Sequence, residues 1–266
     1  MIDYTSIIEK ALICYLKNAD LETLLRDSMA YSLMNAGKRI RPILCLAVCE
    51  MLNGKIEKAL PFACSLEMIH TYSLIHDDLP AMDNDSMRRG QPSSHIAFGE
   101  ANAILAGDGL LSLAGSILSE QSTLLASKAV MTGAIEMLNG QMMDINDLAK
   151  DNTSLIRMYD GKTGGLFCAG ILAGFYAAGG KENESSDWKK FGLELGRLFQ
   201  ITDDILDKEK DLAEHKFTYL SLHSLEETMK YCDSLAASLI AQLTSYSNEA
   251  ADFIIEMIKQ LPKRTK

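Results

Sequence analysis

Two clusters of carboxylates mark this sequence. The first lies between Ser73 and Gly90, where Asp77, Asp78, Asp83 and Asp85 precede Arg88 and Arg89 at the end of an apolar run and in the loop after it. Gathering so many charges is costly unless a multiply charged ligand binds among them. In the second, Gln200, Asp203, Asp204 and Asp207 stand at i, i+3, i+4 and i+7. A helix there presents all four on one face, while Phe199, Ile201, Ile205 and Leu206 largely supply the rest. Mg²⁺ keeps several waters and is usually held by one or two carboxylates together with substrate phosphate oxygens. Two facing carboxylate combs with cations nearby therefore suit a diphosphate bridged by several Mg²⁺. One such cluster alone reads as a solvated acidic helix end; two, each beside apolar helix, point to function.

Spacing excludes two other chemistries. Read from Asp83, a calcium-binding EF-hand loop wants Gly at its sixth position and Glu at its twelfth, where Arg88 and Ser94 stand. Asp160-Gly161-Lys162-Thr163-Gly164-Gly165 superficially suggests a nucleotide phosphate loop, but the glycine required five residues before Gly161 is replaced by Ile156. Its glycines instead allow a helix to bend and expose the Thr163 carbonyl, with Lys162 supplying a charge for diphosphate.

Helices must position these groups. Residues 4–35 read as two amphipathic helices broken near Asn18-Ala19-Asp20, with Ile7, Ile8, Leu12 and Tyr15 as an apolar stripe. Ala36-Gly37-Lys38-Arg39-Ile40-Arg41-Pro42 sets three cations at a glycine break just before an apolar helix, an element terminus of the kind at which anions bind. Ala59 to Ile75 is the helix that carries the first cluster, with His70 on the same face as Asp77. Phe98 to Leu118 and Lys128 to Ile145 read as long core helices. Gln141 and Asp144 lie at i, i+3 on the second of these, either beside the active groups or in an ordinary interhelical hydrogen bond. Trp188 to Leu206 carries the second comb, and from Leu225 amphipathic helix runs to Lys259. The basic tail Lys263-Arg264-Thr265-Lys266 reads as a frayed, solvated end.

The chain has 266 residues, 47% of them hydrophobic, with five prolines and little β-branched alternation, and it reads as a single all-α domain over 1–266. A net charge of -10 and a pI near 5.0 argue against a nucleic-acid surface, so an anionic substrate must be met by local basic clusters. Cys14, Cys45, Cys49, Cys64, Cys168 and Cys232 form no Cys-x-x-Cys pair and suggest a reducing cytosol. Met1-Ile2-Asp3-Tyr4 lacks signal-peptide features, and no uncharged run reaches the roughly 18 residues of a membrane span. The expectation is a cytoplasmic protein without such a span.

The first cluster resembles the first aspartate-rich motif of the trans-isoprenyl diphosphate synthases (polyprenyl synthetases) in its bacterial form, with two extra residues inside Asp-Asp-x-x-x-x-Asp. The second resembles their Asp-Asp-x-x-Asp motif, and His215-Lys216-Phe217-Thr218-Tyr219 resembles their Gly-Lys-x-Thr-Tyr, although the segment after Asp207 is shorter than in those relatives. The resemblance runs from about Ala36 to Lys216 and leans towards bacterial farnesyl diphosphate synthases. It implies the isoprenoid synthase fold, a helical bundle around a central cavity, acting as a homodimer. It implies Mg²⁺, three ions per site with substrate bound, on Asp77, Asp78, Asp83, Asp203 and Asp207. Lys38, Arg41, His70 and Arg89 are implied for isopentenyl diphosphate, and Arg88, Lys162, Thr163, Gln200 and Lys216 for the allylic diphosphate, dimethylallyl or geranyl. The implied catalytic set is Asp77, Asp83, Arg88, Lys162, Thr163, Gln200, Asp203 and Lys216.

The same resemblance ties product length to the residues just before Asp77. Ser73 is too small to block a growing chain, whereas the Tyr72 ring could form a floor, so the expected product is farnesyl diphosphate, with a geranylgeranyl product as the alternative. A terpene cyclase would mix Asn, Ser or Thr and Glu in its second motif, and a non-catalytic partner subunit has no need of both combs.

Overall fold

The computed structural model describes residues 2–35 and 37–264. Met1, Ala36 at the start of the basic stretch, and Thr265 and Lys266 of the basic tail lie outside the described residues. Helices α1 (Tyr4–Asn18) and α2 (Thr23–Leu33) lead into α3 (Ile40–Met51) and the long α4 (Ile56–Asp77). A loop containing a small antiparallel hairpin, β1 (Met87–Arg88) and β2 (Gln91–Pro92), precedes α5 (Ser94–Phe98), α6 (Glu100–Ser119) and α7 (Leu124–Ile145). Next, α8 (Asn152–Tyr159) runs through one π-helical turn, Asp160–Gly164, into α9 (Gly165–Ala177). The bundle is completed by α10 (Ser186–Leu206), the short α11 (Lys208–Ala213), α12 (Leu225–Leu243) and α13 (Glu249–Gln260).

The core forms around α9, which is apolar on every side because α3, α4, α7 and α10 surround it; Leu166, Phe167, Ile171, Ala173 and Phe175 are all buried. On α1 the fully buried stripe is Tyr4, Ile8, Leu12 and Leu16, and the expected Ile7 and Tyr15 flank it half-buried. Among the described residues, α6 is long and apolar enough to cross a membrane by length and composition. It packs instead against α2, α4 and α5 and carries Asp108 at mid-length.

Two expectations are corrected. The helix read from Leu225 to Lys259 is two helices, because Asn248 caps α13 by accepting from the Ala251 N–H at 3.0 Å and also donates to the Met51 carbonyl of α3 at 2.9 Å. The loop after the first cluster contains a hairpin. Arg89 (φ 51°) and Gly90 (φ 78°) form its two-residue turn, the left-handed pair that matches strand twist.

The π-helical turn is clamped by backbone contacts. A Cβ on Gly140 of α7 would lie 1.9 Å from the Lys162 nitrogen, and one on Gly196 of α10 would lie 2.5 Å from the Gly164 Cα. Only glycine permits such approaches. Arg197 of α10 adds two hydrogen bonds to the Asp160 carboxylate, at 3.0 and 2.7 Å. Lys162 and Thr163 are thus placed by neighbouring main chains. Gly140→Ala is expected to destabilise the protein by about 1–3 kcal/mol, the usual cost of overpacking. A thermal melt followed by circular dichroism checks this, and an unchanged Tm would show that α7 and the turn can separate freely.

Candidate active site

The last residue of α4 is Asp77, and the loop folds back so that the Asp83 N–H donates to the Asp77 carbonyl at 2.8 Å. Both carboxylates, with Arg88, line a cavity of about 690 Å³; Gln200, Asp203 and Asp207 of α10 line it too. The two clusters therefore meet across one cavity, as the motif spacing predicts.

Two aspartates are placed differently from the sequence expectation. Asp78 does not line this cavity: one residue beyond Asp77, and so about 100° further round, it is 2% exposed and its carboxylate accepts from Arg88 Nε at 2.9 Å and from Nη2. Its carboxylate is engaged in holding Arg88. Asp204 borders the cavity but is turned inward, accepting from the Tyr159 hydroxyl at 2.5 Å, Gln200 Nε2 at 3.0 Å and the Tyr219 N–H at 3.2 Å. Of the comb of four, Gln200, Asp203 and Asp207 thus serve the cavity, set beside Asp204 as a structural carboxylate.

Burial pushes the Asp77 carboxyl up to about 6, and its neighbours Asp83 and Asp78 add to the rise against the pull of Lys162 and Arg88. Asp203 is likewise pushed up to about 6, by burial first, with Asp207 and Asp204 adding and Arg264 and Lys38 opposing. The structure shows here a residue that sequence reasoning set aside. Arg264, assigned to a solvated tail, reaches Asp203 Oδ1 at 3.1 Å and lies 4.7 Å from the Phe199 ring centroid. Its distance along the chain from Asp203 hid the contact.

Lys162 lines the cavity and is held by Asp144 of α7, while Gln141 one turn earlier donates to Asp77 Oδ1 at 2.9 Å, leaving its own Oε1 buried without a partner. The Thr163 hydroxyl donates to Gln200 Oε1 at 2.6 Å, so these two side chains fix each other. Lys216 also lines the cavity and pairs with Glu214 at 2.8 Å. The shortened segment after Asp207 delivers it by way of α11 and His215, whose φ of 55° takes the left-handed position where the resembling motif has glycine.

The basic stretch divides by role. Arg39, at φ 47°, is buried, paired with Glu67 at 2.6 Å and bonded to the Leu33 carbonyl at 2.7 Å; it is the internal anchor of the stretch. Arg41 lies 4.9 Å from the Phe167 ring centroid and 3.4 Å from His70 Nε2, with its Nε buried and unpartnered, and burial pushes it down to about 10. Burial first, and then Arg41, Arg89, Arg39 and Arg88, push the His70 imidazole well below its ordinary range. Arg89 packs over Gly37, and exposed Lys38 lies close enough to Asp203 to oppose its rise. An imidazole set among guanidiniums is a setting that suits an anion.

A second cavity, about 480 Å³ and mainly apolar, shares Leu74, Asp77 and Lys162 with the first and continues past Tyr72, Ser73, Met137, Leu138, Thr163 and Leu166. Tyr72 is 5% exposed, and the Ser73 hydroxyl donates to the His70 carbonyl at 2.9 Å.

The donors around the first cavity fit a hard divalent cation. They are carboxylate oxygens, with burial penalising the ionised form of Asp77 and Asp203, and the unsatisfied Gln141 amide oxygen belongs to the side chain that holds Asp77. Among the described residues no three His, Cys, Asp or Glu side chains close a cage by themselves. Such an arrangement suits Mg²⁺, which takes one or two carboxylates and completes its shell with water and phosphate.

Comparison with known proteins points the same way. Residues 22–258 match the family described as Polyprenyl synthetase. The chain is 42% identical over 262 residues to a geranylgeranyl diphosphate synthase of Cyanophora paradoxa, covering 88% of this chain and 87% of the relative. It is 36% identical over 266 residues to geranylgeranyl pyrophosphate synthase 7, chloroplastic, of Arabidopsis thaliana, covering 90% and 76%. The crystal structure of a geranyltranstransferase from Thermotoga maritima superposes with a TM-score of 0.86 at 32% identity, covering 98% of this chain and 97% of that one.

The raised carboxyls set a pH dependence. Asp77 and Asp203 move from 3.8 to about 6, so between those values the folded state binds more protons than the unfolded state, and their ionisation lowers stability as pH rises through that window. In metal-free protein, Asp77→Asn and Asp203→Asn are expected to raise Tm over wild type at pH 7.5, with the gap closing towards pH 4. Melts in EDTA across that range check it; a gap that widens on acidification would contradict the assigned shifts.

Proposed function

The chain belongs to the polyprenyl synthetase family, and we propose on that premise that it lengthens allylic diphosphates head to tail with isopentenyl diphosphate. One observation carries the reading: the polar cavity between the carboxylate clusters and the apolar cavity beneath share Leu74, Asp77 and Lys162. A ligand with a diphosphate head and a prenyl tail spans that wall.

Mg²⁺ held by Asp77, Asp83, Asp203 and Asp207 would neutralise the charge that develops on the departing diphosphate. Arg88, Lys162 and Lys216 set fixed cations around the same charge, and such preorganised electrostatics is usually the largest catalytic term. Arg41, His70, Lys38 and Arg89 hold the diphosphate of isopentenyl diphosphate. The allylic carbon–oxygen bond breaks, and the double bond of isopentenyl diphosphate attacks the resulting carbocation. Leu74, Met137 and Leu166 keep water from quenching it. The released diphosphate, left beside the condensed cation, accepts the proton it loses.

The relatives named as geranylgeranyl synthases support a twenty-carbon product over the expected fifteen. One observation favours the fifteen-carbon reading: Tyr72, a bulky ring, stands in the cavity wall near Asp77. Incubation with labelled isopentenyl and dimethylallyl diphosphates and Mg²⁺, followed by chromatography, tests both. Elongated linear products are expected from wild type and none from Asp203→Ala; cyclised products or silence from wild type would sink the proposal. A dominant fifteen-carbon product that Tyr72→Ala lengthens would select the second reading.

We also propose that two copies pair through α7. Met131, Ile135, Leu138, Met142 and Ile145 repeat at spacings of four and three and are each 38–62% exposed, the pattern of a helix seam awaiting a partner. Ile104 and Leu105 of α6 add to this apolar exposure. Ile135→Glu is expected to convert a dimer into a folded monomer in light scattering after gel filtration, and a monomeric wild type would refute the pairing.

A further inference from the structure

On the last turns of α4, just before Asp77, two rings bound the apolar cavity. Tyr72 and His76 meet edge to face, with centroids 5.7 Å apart and planes at 79°, and both line that cavity. The His76 ring is held from the far side by α6. Its Nε2 donates to the Ile104 carbonyl at 3.1 Å, and the ring lies across Gly107, where an added Cβ would stand 2.2 Å from Nε2 and 2.6 Å from Cδ2. Real Cβ atoms do not approach so closely, so any side chain at 107 must move the imidazole off α6.

We infer that Gly107 and His76 form a length-setting pair for the prenyl chain. Gly107 provides the notch in which His76 lies back against α6, His76 braces the Tyr72 ring, and the ring pair bounds the room for the tail. This rests on the elongation reading above and assigns to the cavity a control that lies partly on α6, outside the motif that carries the chemistry. Neither residue lines the polar cavity; both act through the position of a ring, so they are positioning residues. The effect of each has a sign. Filling the notch drives the imidazole away from α6 into the space between α4, α6 and α7, where Ile104 and Leu138 line the cavity. Removing the imidazole leaves Tyr72 unbraced and enlarges the cavity by one ring.

The test is product length, by chromatography after dephosphorylation, for the full-length chain and its His76→Ala, Gly107→Ala and doubly substituted forms. His76→Ala is expected to lengthen the dominant product by one isoprene unit, and Gly107→Ala to shorten it. In the double variant the Gly107→Ala effect should vanish, because the ring through which it acts is gone; a merely structural role for Gly107 would leave its effect intact. An unchanged length distribution in His76→Ala, or a Gly107→Ala effect that persists in the double variant, overturns the pair. Should Gly107→Ala fail to fold by circular dichroism, the His76→Ala arm decides. A wild type that makes no elongated product overturns the elongation reading and this inference together, whereas elongating variants with wild-type lengths overturn this inference alone.

Discussion

Asp77 and Asp203 are carboxylates that the protein holds partly out of water and beside other carboxylates, and much of the surrounding polar structure answers that constraint. Like charges in a partly dry cavity repel, and burial favours the neutral acid over the ion. The protein does not relieve this with a single buried counter-ion. It surrounds the pair with cations that are themselves held by a second rank of acids: Lys162 by Asp144, Arg88 by Asp78, Lys216 by Glu214. Each cation is thereby aimed before substrate arrives. Gln141 and Arg264 complete the arrangement on Asp77 and Asp203. The residual penalty on the two carboxylates is what a divalent cation would relieve.

Such aiming needs a rigid frame, and the frame is made where main chains touch. The turn bearing Lys162 and Thr163 is π-helical, a rare form that tends to occur at functional sites. It survives because α7 and α10 close on it at Gly140 and Gly196, and because Arg197 grips Asp160. The same logic recurs at Gly107, where the absence of a side chain sets the place of the His76 ring. In this bundle the positions without side chains decide where several working side chains stand.

The apolar cavity links chemistry to surface. It starts at the wall shared with the polar cavity and reaches Ile104 and Leu138, which belong to the exposed apolar face of α6 and α7. Pairing through that face would cover the far end of the cavity, so the room for a prenyl tail and the association of two chains would depend on the same helices.

How much of this is legible in the sequence follows from which interactions are local. Helical periodicity and the i, i+3, i+4, i+7 spacing are carried by neighbouring residues, so the all-helical class, the two carboxylate clusters, the basic stretch before α3 and the resemblance to a family are readable along the chain. Which way each residue on a cluster faces is not local. Asp204 turns inward because Tyr159 and Tyr219, 45 and 15 residues away, offer it hydrogen bonds, and Asp78 turns aside because Arg88 returns on a hairpin to meet it. Arg39 looks like its neighbours Lys38 and Arg41, yet the distant Glu67 draws it inside. Arg264 looks like a frayed tail until the fold brings it to Asp203. The sequence by itself determined which groups could do the chemistry, because propensity and spacing act within a few turns of chain. Only the tertiary structure decided which of them reach the cavity, because that depends on side-chain contacts between segments whose meeting no local pattern encodes.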